Sequence, residues 1–295
     1  MSRPIANLAL LLTAVIWGGA FVVQKIGAAH LGPMIFTGVR FLIGALVVLP
    51  FALRALRDAR IDRRDWLGML ATGGALFAGA VLQQIGINET TATNAGFLTT
   101  LYVPLVPLLV FAAVRTVPHP ILWPAAAGCV VGTWMLSGGG TLVLAPGDLW
   151  VVASAVFWAV QVSLIGAVSE RTGAPALVAC VQFLVCGVLS TAWGAVSEPT
   201  TLAELADAGW AILYTGVLSS GVAFTIQAVG QRYTAAADAA VILSSEAVFA
   251  ALAGALVLGE KLSAQQMLGC TVILVCILMV QLLPAWLERR QSFQG

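Results

Sequence analysis

The stretch PIANLALLLTAVIWGGAFVVQ (residues 4–24) runs for 21 residues without a charged side chain. A bilayer's hydrocarbon core is about 30 Å thick and is crossed by roughly 20 apolar residues in a helix, so this segment reads as a membrane span. Only Ser2, Arg3 and Pro4 stand at its start, no small-residue cleavage site follows it, and more spans come after, so it is expected to be retained rather than removed as a signal peptide. Nine further apolar segments lie near residues 33–52, 66–87, 92–114, 121–136, 147–168, 175–195, 207–228, 238–257 and 264–283. Charged residues make up 9% of the chain, against about 25% in soluble domains. The expected fold class is an all-α integral membrane protein with ten transmembrane helices and no soluble domain.

Positive charge gives the orientation. Assigning alternate loops to alternate faces puts Arg3, Arg54, Arg57, Arg60, Arg63, Arg64, Arg115, Arg171, Arg232, Arg289 and Arg290 on one side, and only Lys25 and Lys261 on the other. Basic residues concentrate on the cytoplasmic side of a membrane protein. Both termini are therefore expected in the cytoplasm, and the protein in the cytoplasmic (inner) membrane as a multi-pass chain.

The two halves resemble each other. Setting Trp66 on Trp210 without a gap aligns Gln83 with Gln227, Gly86 with Gly230 and Thr90 with Thr234, so that QQIGINETTATNAGFL (83–98) runs beside QAVGQRYTAAADAAVI (227–242). Earlier, Trp17 meets Trp158. After a one-residue shift Pro33 meets Pro175, and Arg40-Phe41 meets Gln182-Phe183. Later, Gly128-Cys129 meets Gly269-Cys270. Self-similarity at a fixed spacing signals duplication. With five spans per half, the second copy enters the membrane upside down. The loops agree: 53–65 carries five arginines, whereas 196–207 carries Glu198, Glu204 and Asp207 and no basic residue. We expect a first repeat over 1–140 and a second, inverted one over 141–295, a plan that recurs in secondary transporters.

Order, length and duplication resemble the drug/metabolite transporter superfamily, specifically ten-helix proteins built from two EamA-type repeats. The resemblance covers essentially the whole chain. It rests on TATNAGFLTTLYVPLVPLL (91–109) and SSEAVFAALAGALVLGEKLSAQQMLG (244–269). Family members usually have Glu-Pro where this chain has Glu246-Ala247, so the proline expected to kink span nine is absent; span four carries Pro104 and Pro107. The resemblance implies export of small organic metabolites, amino acids foremost, by alternating access. It also implies a central cavity lined by spans one, three, four, six, eight and nine.

Two ionisable residues lie well inside the spans, Arg40 in span two and Glu246 in span nine. Charge at such depth is costly and marks a functional hypothesis. Helical rise puts Glu246 roughly 12 Å from one end of its span and Arg40 roughly 10 Å from the opposite end of its own. They are candidates for proton coupling or for a structural ion pair, and Glu246 also for holding a substrate amine. Gln83 and Gln227 offer repeat-related amides to substrate, or serve as interhelical hydrogen bonds. Trp17, Tyr102 and Trp158 lie too deep for the interfacial aromatic belts that suit Trp66, Trp150, Trp210 and Trp286, and are expected to wall an apolar pocket. Gly128 and Gly132 form GxxxG, read as helix packing with a protomer contact as one use.

Other chemistry is poorly served. The cysteines Cys129, Cys180, Cys186, Cys270 and Cys276 all fall in spans without CxxC spacing. His30 and His119 fall in loops on opposite faces, with no HExxH and no GxSxG frame, so no metal or hydrolytic set assembles. The Gly138–Gly140 run lacks the Lys-Ser/Thr of a phosphate loop. We therefore expect no enzyme, cofactor, metal or nucleic-acid partner. The expected partners are a small-molecule substrate and the lipid bilayer, with oligomeric state open. A carrier of drugs or other hydrophobic metabolites is the alternative use of the same pocket. A channel is disfavoured, since two unlike buried charges suit an occluding site better than a pore.

Overall fold

The computed structural model describes residues 1–90, 92–115, 120–136, 146–257 and 262–292, and the side chains of all of these except 92–94, 114, 136 and 281–292. His119, Lys261 and Gly138–Gly140 lie outside the described residues, as do the side chains of Trp286, Arg289 and Arg290.

Among the described residues, eight helical segments are long and apolar enough to cross a membrane. Five are continuous: α1 (Arg3–Gly27), α2 (Pro33–Asp58), α3 (Arg63–Glu89), α7 (Pro146–Thr172) and α8 (Pro175–Ser197). The other three are composite. One joins α4 (Ala92–Thr99) to α5 (Tyr102–Val114), and another joins α12 (Ala236–Leu243) to α13 (Glu246–Val257). The third runs from α10 (Gly209–Leu213) through a π-helix (Tyr214–Phe224) into α11 (Thr225–Gly230). The fifth and tenth expected spans are represented by α6 (Leu122–Leu136) and α14 (Ala264–Ser292), whose described apolar portions are Leu122–Met135 and Ala264–Val280. A small helix, α9 (Leu202–Asp207), links α8 to α10.

Local chemistry sets the starts. Pro33 and Pro175 open α2 and α8 with a preset φ and no amide to leave unpaired. Asp62 and Asp65 cap each other's amides at the start of α3. Glu198 reaches across to the first turn of α2, accepting from the amides of Met34 and Ile35 at 3.0 and 2.9 Å. Several helices run beyond their apolar stretch; α2 continues to Asp58 through Arg54 and Arg57, because these residues favour helix as much as the apolar ones do.

Both broken spans break at matched positions. Thr100 and Leu101 interrupt α4–α5, and Ser244 and Ser245 interrupt α12–α13. The alignment that sets Trp66 on Trp210 sets these pairs on each other. At each break the chain tightens to i→i+3 bonds, and the hydroxyls of Thr100, Ser244 and Ser245 turn back onto Phe97, Val241 and Ile242 carbonyls at 2.6–2.7 Å. The missing proline after Glu246 therefore does not leave span nine straight. The serine hydroxyls instead take up the Val241 and Ile242 carbonyls in the turn before the break. Tyr102 and Glu246, at equivalent positions, become the first residues of α5 and α13.

Two seams close between helices in the same manner at opposite ends. Lys25, at the end of α1, donates to the Ile87 and Thr90 carbonyls where α3 finishes, at 2.7 and 2.8 Å. At that end Gly86 of α3 lies against α7, and a Cβ there would stand 2.7 Å from the Gly147 oxygen. The Thr90 hydroxyl donates to Asp148 at 2.6 Å. At the other end, where α1 begins, Gly230 lies against Ala6 and Leu10, and Thr234 donates to Asn7 at 2.8 Å. Gly86 and Thr90 align with Gly230 and Thr234. The register that sets Trp17 on Trp158 sets Ala6, Asn7 and Leu10 on Gly147, Asp148 and Val151.

The GxxxG pair packs within the chain: Gly128 faces Cys276 and Gly132 faces the Gly269 carbonyl on α14. Arg171 binds Asp65 at the start of α3 through Nε at 2.7 Å. Trp66, Trp150 and Trp210 are 38–53% exposed, as belt residues should be.

Adding a side chain at the tighter seam is expected to cost stability. Gly86→Leu should lower the melting temperature of the detergent-solubilised protein, in line with the roughly 1–3 kcal/mol typical of overpacking. Gly74→Leu, where a Cβ meets nothing within 4 Å, should leave it nearly unchanged.

Candidate functional site

The helix breaks and the seams surround a cavity among the described residues. Six of the seven residues singled out from the sequence line it: Trp17, Arg40, Gln83, Tyr102, Trp158 and Glu246. They come from α1, α2, α3, α5, α7 and α13. Only close packing of α1 on the second break permits this. A Cβ on Gly18 would stand 2.8 Å from the Glu246 carbonyl oxygen and from the Ala250 nitrogen.

One wall is aromatic. Phe224, the last residue of the π-helix, stands 4.5 Å from the Trp17 ring centroid and 5.9 Å from that of Trp158. Behind it sit Phe41 and Phe183, at 5.8 and 6.0 Å, from the repeat-related helices α2 and α8. Trp17 is fixed by donation from its Nε1 to the Ser219 carbonyl at 3.1 Å. The Trp158 Nε1 is buried and has no partner among the described residues.

The other wall is polar. Gln83 donates to the Thr99 hydroxyl at 2.9 Å, beside the first break. Glu246 is 4% exposed, and its carboxylate meets no hydrogen-bond donor among the described residues. It sits on the first residue of α13, where the helix dipole favours negative charge. Arg40 is 3% exposed; its Nη1 donates to the Gln24 Oε1 at 2.6 Å. The guanidinium lies 4.9 Å from the Phe41 centroid. No ion pair joins Arg40 to Glu246 among the described residues. Of the two uses considered for Arg40 and Glu246, proton coupling or a structural ion pair, the described residues show two charged groups on one cavity without an ion pair between them.

Gln227 departs from expectation. It is fully buried but off the cavity wall, exchanging hydrogen bonds of 3.3 and 3.4 Å with Gln161, which also donates to Gln182 at 3.1 Å. The cause is the π-helix that precedes it. Bonds from i to i+5 take more residues per turn than an α-helix, so residues beyond Phe224 are rotated relative to their α3 counterparts. Gln83, in the continuous α3, faces the cavity; its repeat partner does not. Gln161, itself buried, lines the cavity instead.

Sequence reasoning missed Gln24, Gln161, Thr99 and Phe224. The two glutamines carried the same signal as Gln83, an amide inside an apolar span. Phe224 carried none.

A match to the EamA-like transporter family covers residues 4–138 and 145–282. The chain belongs to that family. An uncharacterized transporter of Archaeoglobus fulgidus is 33% identical over 288 residues, spanning 96% of this chain and 87% of that protein. The uncharacterized transporter YwfM of Bacillus subtilis is 23% identical over 297 residues, 96% of each chain. A solved crystal structure superposes with a TM-score of 0.80 at 21% identity, covering 97% of this chain and all of the other, which shows shared fold alone. This EamA-type member of the drug/metabolite transporter superfamily is thus a multi-pass membrane transporter.

The two cavity tryptophans make unequal contributions. Trp17→Phe removes a hydrogen bond and should destabilise the protein by about 0.5–1.5 kcal/mol. Trp158→Phe removes none, and thermal unfolding should place it closer to the parent.

Proposed function

We propose that this transporter exports small organic metabolites, amino acids foremost, across the cytoplasmic membrane by alternating access. The observation that carries the reading is a cavity with an aromatic wall whose polar wall presents Glu246 without a protein partner. Burying an unpaired charge is costly, and a cationic group on a solute relieves that cost. A solute ammonium at Glu246, with its side chain against Trp17, Trp158 and Tyr102, suits this division of the walls. Gln83 adds an amide within reach of the solute's polar groups. A purely hydrophobic drug would leave the polar wall unanswered, so the amino-acid reading is preferred.

In this reading ten spans form two inverted repeats, residues 1–140 and 141–295, with both termini cytoplasmic. Support for alternating access comes from the paired seams. Thr90–Asp148 with Gly86 closes one end, Thr234–Asn7 with Gly230 closes the other, and each is built from the same positions of the two halves. Opening one while the other holds would expose the cavity to one side at a time. On the proposed orientation, the Thr90 end is extracellular and the Thr234 end cytoplasmic.

The test is uptake of a labelled amino-acid panel into proteoliposomes, with and without a pH gradient. Saturable uptake of some members is expected, with at least a tenfold loss in Glu246→Gln. Gradient-driven uptake that disappears in this variant would identify Glu246 as the coupling residue; gradient-independent uptake would make the protein a facilitator. Absence of uptake for the whole panel by folded protein would remove the amino-acid reading. Orientation has its own check: a cysteine replacing Arg60 should react with an impermeant thiol reagent only from the cytoplasmic side.

A further inference from the structure

The proposed function gives Glu246 a role and leaves Arg40 unexplained. Arg40 has five N–H donors. Its Nη1 is taken by Gln24, its Nε is enclosed with no partner, and its Nη2 donates to no described group. The Phe41 and Phe36 rings, at 4.9 and 5.8 Å, offer faces that attract the cation, but they accept none of those N–H bonds in the plane of the guanidinium. No carboxylate lies within ion-pair distance among the described residues. A guanidinium 3% exposed and without a counter-ion is expensive, and it lines the same cavity as an equally unpaired carboxylate.

We infer that Arg40, steadied by Gln24, binds the carboxylate of the transported solute while Glu246 binds its ammonium, an assignment that rests on the proposed amino-acid transport. The cavity thereby selects zwitterionic amino acids against amines that lack the carboxylate. Gln24 is the positioning residue. Its Nε2 donates back to the Ala20 carbonyl at 3.2 Å, which turns its Oε1 towards Arg40. That bond fixes one edge of the guanidinium and, with Nε enclosed, leaves the Nη end for a carboxylate, the group whose geometry a guanidinium matches. The charges balance: one cation and one anion on the protein meet one of each on the solute. The glutamines are then left to tune fit rather than to hold the carboxylate.

The experiment measures binding of three amino acids and their decarboxylated counterparts to purified protein in nanodiscs: phenylalanine and 2-phenylethylamine, leucine and 3-methylbutylamine, serine and ethanolamine. The parent should bind at least one amino acid about 10- to 100-fold more tightly than its amine, the ratio expected of a charge-assisted hydrogen-bond pair. Arg40→Gln should abolish that preference by weakening the amino acid to the level of the amine. Arg40→Lys, which keeps the charge and loses the fork, should retain part of it, and Gln24→Ala should reduce it several-fold. Should Arg40→Gln fail to fold by thermal melting, Arg40→Lys and Gln24→Ala carry the test, and an unchanged ratio in both overturns the inference. A parent that binds amine and amino acid alike also overturns it, as does a folded Arg40→Gln that still discriminates. If the parent binds none of the six compounds, the amino-acid reading fails and takes this assignment with it. If it binds amino acids and the ratio ignores Arg40, only this assignment fails.

Discussion

Backbone groups inside a bilayer have no water to turn to, so a helix that crosses it is expected to run unbroken or to find partners for each freed group. Two helices here are interrupted, at Thr100–Leu101 and at Ser244–Ser245, and the cavity depends on how those interruptions are sealed. Short hydroxyl-to-carbonyl bonds from Thr100, Ser244 and Ser245 hold the tightened turns. The sealed breaks put Tyr102 and Glu246 at the starts of new helices, in equivalent positions of the two halves. Half-helices that begin near the middle of the membrane recur at transporter binding sites because their amide ends meet the solute. Glycine does the complementary work. Gly18 lets α1 press against the second break, so Trp17 and Glu246 end up on one cavity.

Much of the fold was legible because it is written in long-range statistics. Spans of about 20 apolar residues and the Trp66–Trp210 register, whose matched breaks and glycine contacts recur in the structure, need no atomic detail. The buried site was legible for a related reason. Polar groups are rare enough in apolar spans that Arg40, Glu246 and Gln83 announced themselves, and all three line the cavity. What escaped was angular. The sequence of Tyr214–Phe224 does not announce a π-helix, although Gly216, Ser219, Ser220 and Gly221 lie within it. The change in twist that turns Gln227 away from the cavity is therefore invisible to an alignment that counts residues. The hinge at Ser244–Ser245 escaped for the opposite reason. Proline is the usual sign of a broken helix, and two serine hydroxyls achieve the same break without one.

The halves can be related and still differ. Their matched positions hold tyrosine against glutamate at the breaks, arginine against glutamine in α2 and α8, and aspartate against asparagine in the seams. Backbone features, the glycine approaches and the interruption points, recur with their geometry. Chemistry does not recur at these positions, which suits the proposed function, in which an asymmetric solute would meet different groups at its two ends. Phe41 and Phe183 are the exception, an apolar pair 5.9 Å apart behind the aromatic wall, of which Phe41 also lies against the Arg40 guanidinium.

The two unpartnered charges have a consequence when no solute is present. Closing an empty cavity around Arg40 and Glu246 strips both of water with nothing to replace it, and the penalty for a dehydrated ion is several kcal/mol even after relaxation. Under the proposed amino-acid transport, a loaded cavity would close with both charges answered, which would make the empty cycle the costlier one. The polar wall proposed to grip the solute would then bear on traffic as well as on recognition.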